Sequence, residues 1–180
     1  MPASQTQLVP AQEMAPGQIS AIRNKAIANV LTMVSTKLNL SQDRLVVRGV
    51  RADLDLDYGV EDWAETTGAT ADAYETMTTG TIASQTWWCI YGVLVDFARL
   101  NCSFLKFNIG GADRALWPLQ ELYPEAGGDH TYAVGICPSC LIVPENTPYT
   151  ISRYVRNASS PSFIMLKSFI VEPRGLLVSP

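Results

Sequence analysis

The chain has 180 residues, 47 % of them apolar and only 17 % charged. That is enough buried surface for one domain with its own core, and it excludes a disordered tail. The formal net charge of -4 is the wrong sign for a protein that gains affinity by neutralising phosphates, so nucleic acid is not expected as a main partner. The single histidine, His130, excludes a multi-histidine metal site and leaves little acid-base chemistry near neutral pH.

Residues 1–17 (MPASQTQLVPAQEMAPG) hold three prolines and three glutamines with no apolar periodicity, and predict an extended N-terminal arm. They also lack the basic start and apolar run of a signal peptide. From Gln18 the pattern changes. Ile19, Ile22, Ala26, Val30 and Met33 recur every three or four residues, and Ile27, Leu31 and Val34 widen the stripe, which predicts an amphipathic helix over 18–38. Its later part, 32–38, carries Thr and Val and is compatible with an extended end.

A β-sandwich is expected over 39–180. Residues 45–56 (LVVRGVRADLDL) alternate with period two, placing Val46, Arg48 and Val50 on one face and Leu45 and Val47 on the other. Residues 57–85 are acidic and threonine-rich with few large apolar groups, and read as a long surface excursion with a short helix near 69–76. Strand signals then follow at 86–97, 102–109, 115–122, 132–137, 141–143, 149–155, 163–171 and 176–178, separated by Gly-, Pro- and Asn-containing turns. Strands that each bury one face require two sheets closing on each other, so the fold class is an all-β antiparallel sandwich. The longest near-apolar stretch, 87–97, is too short for a membrane span and contains Asp96.

The chemical motifs are weak. Asp53, Asp55 and Asp57 have the carboxylate spacing that opens an EF-hand loop, but the sixth position is Tyr58 and the twelfth Ala64, in a strand context. They read first as the polar end of a strand that blunts edge pairing, with a calcium site as the alternative. Cys137-Pro138-Ser139-Cys140 has the gap of redox and zinc motifs but lies between strand patterns, and Cys89, Cys102 and His130 supply no second spaced pair. Four reduced, mostly buried thiols are expected, with no zinc and no cofactor. His130 has no positioned nucleophile beside it and reads as structural. No catalytic set is assigned. The adjacent Trp87 and Trp88 must point to opposite faces of a strand, so one fills the core and the other is exposed or covered. Together with Trp63 they are the candidate interface residues, an exposed indole serving either a subunit contact or a sugar.

An arm, one helix and an eight- or nine-stranded pattern with long loops resemble the small single jelly-roll proteins of virus and phage particles. The segments that carry the resemblance are LIVP (141–144), YTISRYVRN (149–157) and FIMLKSFIVEP (163–173). The resemblance implies a jelly-roll-like sandwich and a non-enzymatic structural role, as a capsid subunit or capsid-decorating protein. Such a protein would be made in a host cytoplasm, carried in the virion, and partnered by copies of itself and other capsid proteins. Jelly rolls also host lectins and cupins. A carbohydrate- or receptor-binding module is therefore the alternative, whereas cupin chemistry needs histidines this chain lacks.

Overall fold

The computed structural model describes residues 8–50, 63–67, 70–96, 101–122, 132–157 and 161–178. Ten strands and one α-helix lie among them. The strands are β1 (Val9–Pro10), β2 (Leu45–Arg48), β3 (Trp63–Thr67), β4 (Ala73–Thr81), β5 (Trp87–Asp96), β6 (Cys102–Ile109), β7 (Ala112–Pro118), β8 (Tyr132–Val143), β9 (Pro148–Val155) and β10 (Pro161–Pro173), and the helix is α1 (Gln18–Leu38). All pairings are antiparallel. One sheet has the order β1-β8-β5-β10-β2, with β3 also on β10, and the other is β4-β9-β6-β7. Of the strands from β4 onward, successive ones alternate between sheets except where a Gly110-Gly111 turn joins β6 to β7. Both glycines have positive φ (63° and 77°), the region a two-residue hairpin turn needs and a side chain disfavours.

The inter-sheet core is large and aromatic. Trp88 of β5 meets Tyr149 of β9 edge-on at 5.3 Å, and Phe107 lies 4.4 Å from Trp117. Val93, Val95, Leu105, Ile151, Ile164 and Ile170 join them. A second cluster lies on the opposite face of the larger sheet, where Ala26, Val30 and Val34 of α1 pack on Leu45, Trp87, Cys89, Phe169 and Val171. The protein thus has three layers: helix, larger sheet, smaller sheet.

The helix runs through 32–38, where the sequence leaves an extended end open. Thr32 and Thr36 donate their hydroxyls to the carbonyls of Ala28 and Thr32, both at 2.9 Å, so neither side chain competes with the helical backbone. Asn39 ends it in the left-handed conformation, with its N–H on Ser35 and Thr36.

Several expectations are corrected. The extended segment at the start of the chain, expected to lie on another copy, packs on its own sheet over residues 8–10, where β1 pairs with β8 and Leu8 is buried. Gly135 makes the room. A Cβ there would lie 2.8 Å from Leu122 and 3.3 Å from Leu8, so only glycine lets both leucines close over β8. Residues 1–7 lie outside the described residues. The short helix near 69–76 is replaced by β4, which pairs with β9 from Ala73 to Thr81; its threonines are β-branched and suit an edge strand whose outer face is wet. The excursion's residues 57–62 and 68–69 are not described. The strand expected at 176–178 is a 3-10 turn over Arg174–Val178, and 120–122 is another.

β2 and β3 run in the same direction along one side of β10, facing 170–173 and 161–164 respectively. They lie one after the other along the same edge of the sheet. On β2, Arg48 grips Glu172 with two hydrogen bonds, Nε to Oε1 at 2.6 Å and Nη2 to Oε2 at 3.0 Å. Glu172 is buried and Arg48 half-buried, so the paired geometry offsets the desolvation of the carboxylate.

Candidate functional site

Trp87 and Trp88 point to opposite faces of β5, as alternation requires. Neither is free for a partner, since they are 1 % and 0 % exposed. Trp88 fills the inter-sheet core, and Trp87 is covered by the protein's own helix, with Lys37 Nζ 5.4 Å from its ring centroid. The same Lys37 is 3.2 Å from Glu145 Oε1, while Glu145 Oε2 accepts a hydrogen bond from the Gln85 N–H at 2.6 Å. These contacts hold the Glu145 carboxyl below the usual carboxylate range, the Gln85 N–H acting first. An interface role for Trp87 or Trp88 is therefore set aside: the sequence shows that an outward indole needs a cover but not that α1 supplies it. Trp63 opens β3, its backbone opposite Ile164. Asp53, Asp55, Asp57 and His130 lie outside the described residues.

The structure instead leaves two other strips part-exposed. On the outer face of the smaller sheet, strand register places Tyr74, Tyr154, Phe104 and Pro118 in one row across all four strands. Tyr74 and Tyr154 meet edge-on at 5.1 Å, Tyr154 and Phe104 at 6.3 Å. Tyr74 is 43 % exposed, and Lys106 Nζ sits 4.5 Å from its ring centroid, a cation–π contact that fixes the ring's orientation. Desolvation, then Tyr154 and Asp113, raise the Tyr74 phenol above its ordinary value. The next row is Thr76, Ser152, Lys106 and Leu116, and beyond it Thr79 and Thr150 share a hydroxyl contact at 3.0 Å while Asn108 donates to Asp113 at 2.9 Å. The strip is apolar at one end and polar at the other.

The second strip is on the opposite face of the molecule. The helix-side cluster reaches Tyr91 on β5 and stops. Further along the same sheet, Val134, Leu94 and Met165 form a part-exposed row across β8, β5 and β10, next to Tyr132, which is 58 % exposed and meets Phe163 at 6.5 Å.

Cys137 and Cys140 do not sit at a turn between two strands. They lie within β8, in a bulge where residues 137–140 oppose Tyr91 alone, since Ile136 faces Gly92 and Leu141 faces Ile90. The bulge sends the two thiols to different cores. Cys137 is buried between the sheets, and Cys140 lies on the helix side near Cys89. All four cysteines are free thiols, three of them buried.

No family model, curated protein or solved structure matches the chain. Among the described residues no group of three or more His, Cys, Asp and Glu side chains is arranged to hold a metal ion, and no helix is long and apolar enough to cross a membrane. The strips were missed in the sequence because their residues come from seven strands; only the alternation within each strand, combined with register, brings them together.

Proposed function

We propose that this chain is a non-enzymatic structural subunit of a symmetric shell, a virion capsid or capsid-decorating protein of the single jelly-roll kind. The strand order supports the fold part of the reading. Four strands of the larger sheet follow the order β2-β10-β5-β8 and face β4-β9-β6-β7, the interleaving that arises when a long antiparallel ribbon is rolled around a core. The small β1 and the helix then decorate one sheet.

The observation that carries the functional part is the pair of part-exposed strips on opposite faces of one sandwich. They differ in composition, one aromatic with Lys106 and hydroxyls, the other aliphatic with Tyr132 and Phe163. A subunit with two unlike sticky surfaces makes heterologous contacts, and repeated heterologous contacts close into rings or shells rather than simple dimers. Residues 8–13, folded on their own core, contribute stability to the subunit, so assembly rests on the sheet faces.

The test is mass in solution by sedimentation as concentration rises. The wild-type chain should form species larger than a dimer. Met165→Lys and the Tyr74→Ala, Tyr154→Ala pair, each disabling one strip, should leave small oligomers or monomers with unchanged unfolding midpoints.

The hydroxyls of Thr79 and Thr150, two rows along the same face from the aromatic row, favour a second reading, a carbohydrate-binding module in which Tyr74 or Tyr154 stacks on a sugar. A chain that stays monomeric throughout and binds an oligosaccharide saturably, losing it with Tyr74→Ala, replaces the first reading by the second.

A further inference from the structure

The Cys89 and Cys140 sulfurs are 3.1 Å apart, with the Cys89 thiol donating to Cys140. The two residues are brought together by the β8 bulge, where Cys140 takes a positive φ of 37°, a conformation side chains adopt reluctantly. Cys89 is fully buried under α1, but Cys140 is part-exposed and opens on a cleft of about 610 Å³. The cleft is bounded by the β6–β7 turn, the bulge and the β8–β9 connection, and its walls include Ile109, Arg114, Ser139, Pro144 and Thr147. A reachable thiol, a buried second thiol in contact with it, and a guanidinium in the same cleft form a combination that neither the shell reading nor the packing of the core requires.

We propose that Cys140 is a reactive thiol that takes anionic low-molecular-weight disulfides from this cleft and that Cys89 resolves the adduct, leaving a Cys89–Cys140 disulfide. The Cys140 thiolate, its proton released to solvent, attacks one sulfur of the small disulfide RSSR. A Cys140–SR bond forms, the S–S bond of RSSR breaks, and RS⁻ leaves. Cys89 then loses its proton and its sulfur attacks Cys140 Sγ, forming the intrachain bond and expelling the second RS⁻. The two expelled thiolates take up the two protons. Two protein thiols are oxidised and one small disulfide is reduced to two thiols.

The electrostatics agree with this order of events. The hydrogen bond from Cys89 holds the Cys140 thiol below its ordinary value against the effect of burial. The same bond, followed by burial, pushes Cys89 up. Arg114 suits the carboxylates of a peptide disulfide. Cys137 is excluded as the resolving partner by its place in the inter-sheet core, so the C-P-S-C spacing is not the functional pair.

The experiment treats the folded full-length chain with oxidised glutathione and follows intact mass and peptide maps. The wild type should lose two hydrogens, retain no glutathionyl group and show a Cys89–Cys140 crosslink. Cys89→Ala, which removes the resolving thiol with little change in volume, should accumulate one glutathionyl group on Cys140. Cys140→Ser should not react. Arg114→Gln, on the surface and outside both cores, should slow glutathione several-fold while leaving hydroxyethyl disulfide, which is neutral, unaffected. A Cys137–Cys140 crosslink, a stable adduct on the wild type, or no reaction overturns the proposal. Circular dichroism and cooperative unfolding of each variant separate loss of the chemistry from loss of the fold; if Cys89→Ala fails to fold, wild-type crosslink mapping alone decides the outcome.

Discussion

Trp87 shows how one side chain can hold two layers together. It is the largest residue between α1 and the larger sheet, so Trp87→Ala opens a cavity the helix cannot fill and should lower stability by about 3–5 kcal/mol, read as a lower denaturant midpoint with an unchanged slope. The Arg48–Glu172 pair responds differently. Arg48→Ala leaves the Glu172 carboxylate buried without its fork of donors and should cost about 3 kcal/mol, whereas Arg48→Met combined with Glu172→Leu should recover most of that loss. The same two unfolding curves, compared with wild type, decide between a pair that stabilises and one that merely avoids a penalty.

Among the elements, β1 is the smallest and its role is the most open to test. Leu8 occupies the space that Gly135 leaves, so Leu8→Ala should destabilise the folded chain by about 2–5 kcal/mol; a stability equal to wild type would mean that β1 contributes nothing to the core. What the sequence told about such elements depended on the distance over which the signal acts. The stripe of α1, except Met33, which the structure leaves exposed, and the alternation that sets Val46, Arg48 and Val50 against Leu45 and Val47 are local, and both were legible. The threonine-rich β4 was not, because an edge strand with one wet face lacks the large apolar residues that announce a strand, and only its pairing with β9 reveals it. The folding of β1 onto β8 depends on a glycine 127 positions beyond Leu8, a coincidence no window along the chain contains. The two strips and the Cys89–Cys140 contact belong to the same category: their residues are ordinary in sequence and become chemically meaningful through register.

For the whole molecule, a buried thiol sets an alkaline limit. Burial pushes Cys102 up to about 12 from an ordinary 9. The native state keeps this proton where the unfolded chain releases it, so the stability it contributes is complete below the unfolded value and is lost as pH rises toward the folded one, at about 1.4 kcal/mol per pH unit. Urea unfolding followed from near-neutral to alkaline pH should show this fall, and Cys102→Ala should flatten it; an unchanged profile would place the alkaline limit elsewhere. The position of β10 has a different consequence, one of timing. It lies between β5 on one side and β2 and β3 on the other, yet follows every other strand in the chain. Until β10 has left the ribosome, β2 and β3 have no strand to pair with, and β5 presents an open edge with Trp88, Val93 and Val95 facing no finished core. A chain whose central strand is made last passes through an interval of synthesis in which an open strand edge and unpaired strands are exposed together, and that interval ends only when β10 is inserted.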